Sequence, residues 1–143
     1  LAIAKKTNPN AQFITEDSLD KYANMFDIIL IANVFHHIPY QYQHSAMQTA
    51  KLLLRASGEI FIVEHNPYNL MTLRAVNTCE FDKNAVLLKP NVMKALVRET
   101  GLDIINQGYT LFFPTSIRYF QPVEKYMSGL PFGAQYYIQA QKR

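Results

Sequence analysis

FDIILIANVFHHIP, residues Phe26–Pro39, is the stretch on which the reading of this chain turns. From Asp27 to Ala32 the run is apolar almost without a break. A half-exposed strand would alternate polar and apolar residues, so the run predicts a strand buried on both faces. It stops on Asn33, and the adjacent pair His36-His37 follows. Downstream, Tyr42 to Leu54 predicts a helix with Ala46, Met47, Ala50, Leu53 and Leu54 on one side, stopped by Ser57-Gly58. Glu59 to Val63 is a second apolar run of strand length, rich in the β-branched Ile60, Ile62 and Val63. Strand, helix and strand in this order, both strands apolar throughout, predict a βαβ unit in a parallel sheet.

The flanks extend the same theme. Leu1 to Lys6 reads as the tail of a helix stopped by the TNPN turn. Gln12 to Thr15 reads as a short strand, and Asp17 to Asn24 as polar and irregular. Asn66 to Thr78 is expected to be helical after Pro67. Lys89 to Gly101 has proline at its start, a helical pattern through Val92, Leu96 and Val97, and a glycine stop. Leu102 to Leu111 and Gln135 to Ala140 read as strands. No crossover helix separates them, which predicts an antiparallel pair at the sheet edge, with Phe112 to Phe132 as an aromatic, proline-containing excursion. No internal repeat, low-complexity tract or linker divides residues 1–143, so a single domain is expected.

Composition narrows the function classes. The chain has 143 residues, 49% hydrophobic and 17% charged, which permits a sizeable core and argues against disorder. The net charge is only +3, and the basic residues are scattered rather than interleaved with aromatics, so a nucleic-acid partner is not expected. One cysteine, Cys79, excludes an internal disulfide framework and fits a reducing cytoplasm. The apolar stretches are far shorter than the roughly 18–20 residues a membrane helix needs, and LAIAKKTNPN lacks the basic-then-apolar order of a signal peptide. A cytoplasmic location without a membrane partner is the expectation.

Open α/β sheets bind ligands beyond the carboxyl ends of their strands. This singles out EDSLD, ANVFHHI and EHNPYN, where polar groups stand at the ends of apolar runs. Glu16 and Asp17 can accept hydrogen bonds from an exocyclic amine or ribose hydroxyls; alternatively they cap a turn. Asn33 either faces a ligand with its amide or ends the strand in a turn. His36 and His37, as neighbours, are not expected to point the same way: one reads as a turn histidine satisfied by a backbone carbonyl, the other as a candidate general base. His36, His37, His44, Glu64, His65 and Cys79 are the available metal donors, but their spacing matches neither HExxH nor paired CxxC, so no metal is expected. Nothing near Cys79 predicts a lowered pKa, and no GxSxG elbow is present. The aromatics from Tyr109 to Tyr137 can line a pocket, form a lid or cover a partner surface, with core packing the favoured reading.

Taken together, NAQFITEDSLD, FDIILIANVFHHIP and AKLLLRASGEIFIVEHNP resemble, in order and spacing, the later motifs of class I S-adenosylmethionine-dependent methyltransferases. The turn that often reads Pro-Gly-Gly in that family is Ala56-Ser57-Gly58 here. The resemblance implies a Rossmann-like, mostly parallel α/β sheet with helices on both faces and an antiparallel C-terminal hairpin. It places Asp17 and Ser18 beside the cofactor's adenine, Ala32 and Asn33 near its methionine portion, and His36 and His37 on the substrate side as the catalytic candidates. The implied reaction is methyl transfer from S-adenosylmethionine to a small molecule, with much of the rate supplied by proximity in a dry pocket.

One departure is large. The five glycines (Gly58, Gly101, Gly108, Gly129 and Gly133) form no GxGxG cluster, and neither the family's Gly-rich loop nor its ribose-binding acid is in these residues. In the family's strand order, 3-2-1-4-5-7-6, the first two strands are therefore lacking, and the chain reads as a single incomplete, truncated methyltransferase-like domain. Little affinity for S-adenosylmethionine is expected without them. The Asp27 strand would have to pair with the Gln12 strand, pair with another copy in a homodimer closed by strand or segment exchange, or leave an apolar edge. Two functions follow: the C-terminal part of a methyltransferase, or a non-catalytic truncated module acting in protein interaction or without function.

Overall fold

The computed structural model describes residues 2–143, apart from the side chains of Ala2, Ala4, Glu16 and Thr115. The chain forms α1 (Ala2–Thr7), β1 (Phe26–Ala32), α2 (Tyr40–Leu53), β2 (Leu54–His65), α3 (Leu70–Thr78), α4 (Pro90–Glu99), β3 (Leu102–Thr110) and β4 (Gln135–Lys142). Short 3₁₀ turns occupy Glu16–Tyr22, Phe35–His37, Glu80–Asp82 and Thr115–Tyr126. The strands make one mixed sheet in the order β1-β2-β4-β3. β1 and β2 are parallel, with Ile29 opposite Ile60 and Ile31 opposite Ile62; β4 runs antiparallel to both β2 and β3. This is the order implied for the fourth, fifth, seventh and sixth strands. The last strand lies inside the sheet, and one of the three pairings is parallel.

The βαβ unit forms where the pattern placed it. Alternation along β2 sends Ile60, Ile62 and Glu64 to one face, where they meet Ala140, Ile138 and Tyr136 of β4. Against this face lie Met47 and Ala50 of α2 and Met93, Leu96 and Val97 of α4, the inward stripes of two amphipathic helices. Pro90 opens α4 at its first turn. At its other end Lys51 Nζ of α2 donates to the carbonyl of Thr100 at 2.8 Å, placing a cation on the negative end of α4. Gly58 is where β2 passes the start of β1: a Cβ there would lie 3.0 Å from the carbonyl oxygens of both Arg55 and Phe26.

Several expectations are corrected. Gln12 to Thr15 is not a strand, and the polar stretch after it is a 3₁₀ turn. Of the helix tail expected at Leu1 to Lys6, Leu1 lies outside the described residues, and the rest is α1. Ser57-Gly58 does not stop α2; the helix ends at Leu53, and Leu54 already pairs with Phe26. β1 is not buried on both faces. It is the edge strand, and Ile28 and Leu30 are 63% and 67% exposed while Ile29 and Ile31 pack inward. Among the described residues nothing covers Ile28 and Leu30. The aromatics of the Phe112 to Phe132 excursion do not fill the core: Tyr119, Phe120, Tyr126 and Phe132 are exposed.

Candidate functional site

The carboxyl ends of β1 and β2 carry the densest polar constellation. β1 ends on Asn33, whose φ of 54° is left-handed, a conformation asparagine tolerates better than most residues. Its N–H donates to the Val63 carbonyl at 2.8 Å, and its side-chain oxygen accepts from Gln135 Nε2 at 3.1 Å. The chain is thereby turned into the 3₁₀ turn Phe35–His37. Glu64, near the end of β2 and 1% exposed, organises this turn. Its Oε1 accepts from the backbone N–H groups of Val34 (3.0 Å) and Phe35 (2.7 Å), and its Oε2 lies 2.6 Å from His36 Nδ1. Glu64 only accepts, so the His36 Nδ1–H donates to it; in the neutral form of the ring this leaves Nε2 as the nitrogen with the lone pair.

The second histidine does not diverge from the first. His36 Nε2 and His37 Nε2 lie 3.5 and 3.3 Å from the same atom, Asp82 Oδ1. The tight turn lets adjacent residues reach one carboxylate, which the assumption of opposite directions missed. Nor is the buried ring satisfied by a backbone carbonyl; His36, 2% exposed, is held by Glu64. The loop carrying Asp82 is tied down by Val86 N–H donating to the His36 carbonyl at 2.9 Å. His65 lies beside His36, its ring centroid 5.0 Å away and its plane tilted by 35°. Burial first, and the neighbouring His36 second, hold His65 below the usual histidine pKa.

His36 and His37 form one end of a cavity of about 610 Å³. Its walls are apolar, chiefly Ile38, Leu87, Leu88 and Val92, with the amide of Gln43 among them. Gln43 Nε2 donates to the Ile38 carbonyl at 3.0 Å, and Tyr136 O–H donates to the Leu88 carbonyl at 3.0 Å, so helix and sheet each brace a wall. Asp17, Ser18, Ala32 and Asn33 are not among its lining residues. Ser18 Oγ donates to the Thr15 carbonyl at 2.8 Å, the turn role that sequence reading gave as the alternative for its acidic neighbours. Asp17 is exposed in the same turn, Ala32 is exposed at the end of β1, and the Glu16 side chain is outside the described set. Asp82 was missed: nothing local in EFDKN marks it, and only the fold brings it to the histidines. His44 is exposed on α2, and Cys79 precedes the Glu80–Asp82 turn; neither belongs to the cluster of His36, His37 and Asp82.

No protein-family model and no curated protein matches the sequence. Solved structures do match. A SAM-dependent methyltransferase from Archaeoglobus fulgidus is similar over 99% of this chain and 72% of its own, with 15% identity and a TM-score of 0.66. A SAM-dependent methyltransferase from Thermotoga maritima, described as a possible histamine N-methyltransferase, is similar over 99% of this chain and 70% of its own, with 16% identity and a TM-score of 0.70. Phosphoethanolamine N-methyltransferase 2 of Haemonchus contortus, solved with S-adenosyl-L-methionine, matches over 84% of this chain and 34% of its own, with 11% identity and a TM-score of 0.52. Among the described residues no helix is long and apolar enough to cross a membrane. The strand order β1-β2-β4-β3 and these likenesses together give the chain the Rossmann-like fold of class I S-adenosylmethionine-dependent methyltransferases.

Proposed function

We propose that this chain forms the acceptor-side part of an S-adenosylmethionine-dependent methyltransferase acting on a small molecule. The observation that carries the reading is the mostly apolar cavity of about 610 Å³ at the carboxyl end of β1, with two histidines in its wall. Both its size and its place suit a small ligand in an open α/β sheet. The residues present fit one side of the cofactor. The exposed carboxylate of Asp17 can accept from an exocyclic amine, and the small, exposed Ala32 leaves room beside the strand end. Ser18 would stand beside Asp17, and the Asn33 turn beside the methionine portion. The Gly-rich loop and the ribose-binding acid are not in these 143 residues, so further protein would have to supply them.

When bound, S-adenosylmethionine supplies an electrophilic methyl group. The chain's own contribution is to hold the acceptor, exclude water and take its proton. Ile38, Leu88 and Val92 do the first two by apolar contact. The proton is taken at the histidine pair, where Glu64 fixes the His36 ring so that Nε2 remains the accepting atom. Calorimetric titration of the natural full-length protein with S-adenosylmethionine tests the reading. Binding weakened by Asp17→Ala and Asn33→Ala, with turnover but not cofactor affinity lowered by His37→Ala, is expected. Absence of cofactor binding at millimolar concentration would remove it and favour the competing reading, a non-catalytic interaction module, to which the open β1 edge lends itself.

A further inference from the structure

The cluster of His36, His37 and Asp82 has a geometry that proton transfer alone does not require. Its three donor atoms lie within 4.8 Å of one another. The two nitrogen–oxygen separations, 3.5 and 3.3 Å, exceed the roughly 2.7–2.9 Å of a charge-assisted hydrogen bond. They lie close to the ligand–ligand edge of about 3.3–3.4 Å that a tetrahedral ion imposes when each ligand is about 2.0–2.1 Å away, the His37 separation matching it and the His36 one slightly longer. We propose that His36 Nε2, His37 Nε2 and Asp82 Oδ1 form a three-ligand site for a divalent transition ion of the Zn²⁺ type, with Glu64 as the orienting partner of His36.

Three features of the chain support the site. First, the Glu64 Oε2 contact at 2.6 Å puts the His36 proton on Nδ1, so that Nε2 offers a lone pair. Metal-binding histidines ordinarily have such a carboxylate or carbonyl behind them. Second, the donors are held in place before any ion arrives. Glu64 Oε1 caps the histidine turn through the Val34 and Phe35 amides, and the Val86–His36 backbone bond docks the Asp82 loop onto it. Third, there is a way in: the His37 side chain is 43% exposed, and both histidines border the cavity.

Two imidazoles and one carboxylate suit zinc and its neighbours rather than magnesium or calcium, which take oxygen ligands. Three protein ligands leave a fourth position, the arrangement of an ion that acts on a ligand rather than one that only braces a fold. The consequence for chemistry rests on the methyl-transfer reading. Neutral histidines and one carboxylate leave the ion one net positive charge. Such a centre favours an acceptor that binds through an ionisable oxygen; with both Nε2 lone pairs given to the ion, the proton it loses would pass to solvent through the exposed mouth of the site, and the histidine pair would act as a base only in the ion-free protein.

The test needs no turnover. The natural full-length protein is stripped with a chelator, then titrated with Zn²⁺ by calorimetry and with Co²⁺ by visible absorption. One ion per chain is expected, with the cobalt bands of a four-coordinate site. Asp82→Asn and His37→Ala should each weaken binding at least 100-fold; both positions are at least partly exposed, and circular dichroism checks that the variants fold. Glu64→Gln should weaken it about 10- to 100-fold, and the exposed His44→Ala should leave it unchanged. No binding below millimolar concentration, or binding that Asp82→Asn and His37→Ala do not affect, overturns the proposal. Titrating the stripped protein with S-adenosylmethionine keeps the two questions apart: cofactor binding without zinc binding sinks only the metal site, and the reverse only the methyl-transfer reading.

Discussion

Replacing Glu64 by alanine would remove the one side chain that holds the histidine turn. Three donors lose their acceptor: the Phe35 amide at 2.7 Å, the Val34 amide at 3.0 Å and His36 Nδ1 at 2.6 Å. The Phe35 amide and His36 are buried, so neither recovers a partner from water, and each costs about 1–3 kcal/mol. The Val34 amide is only partly buried and regains part of its loss from solvent. The sum is about 2–7 kcal/mol, before any term for the space vacated, against a total stability of about 5–15 kcal/mol for a typical domain. Glu64→Gln separates the parts. Its amide oxygen can still accept from both backbone groups, while its NH₂ must face His36 Nδ1, which can meet it only by giving up its proton. That variant should lose about 1–2 kcal/mol, the charge-assisted share of the bonds, and should move the His36 proton to Nε2. Urea unfolding followed by circular dichroism measures the first quantity, and ¹⁵N spectra of the imidazole nitrogens read the second. If Glu64→Ala unfolds within 1 kcal/mol of the parent, or Glu64→Gln leaves the tautomer unchanged, the assigned network is wrong.

Three further outcomes follow from the packing. Gly58→Ala should destabilise by about 1–3 kcal/mol, because the added methyl meets two backbone carbonyl oxygens that cannot swing away; thermal melts would show it, and an unchanged melting temperature would mean the crossing of β1 and β2 is looser than drawn. Leu30→Lys should change the stability of the 143-residue chain by no more than about 0.5 kcal/mol, since Leu30 is exposed, while reducing concentration-dependent association through the open edge, as light scattering would report. Tyr136 is held well above the ordinary tyrosine pKa, by burial first, then by Glu64 and Tyr109. Its folded pKa is therefore higher than its unfolded one, so its contribution is fully present below about pH 10 and declines as pH rises beyond that. Tyr136→Phe should cost about 0.5–1.5 kcal/mol at neutral pH by losing the Leu88 hydrogen bond. It should also flatten the alkaline fall in denaturant stability, and parallel curves for the two proteins would contradict the assignment.

What could be read from the sequence, and what could not, divides along a physical line. The βαβ unit was legible because periodicity and β-branching are local, and so was α4, bracketed by Pro90 and Gly101. The edge position of β1 was not legible. Ile28, Leu30 and Ala32 have the composition of a buried face, and only the strand order reveals that nothing among the described residues covers them. Gln12 to Thr15 failed because strand propensity alone does not make a strand: β1 offers an open edge, but these four residues do not pair with it. At the site, His36 and His37 were conspicuous as a pair, and Glu64 as a charge ending an apolar run. Their relation was not, because it depends on β1 and β2 being parallel neighbours: with Ala32 beside Val63, the next residue of β2 is brought under the turn that follows β1. Asp82 is one step further removed, since it reaches the histidines only after that turn exists and the Val86 amide has docked on it. The histidines are therefore best regarded as the visible half of a constellation whose other half, Glu64 and Asp82, decides which ring nitrogen is available and what it can bind.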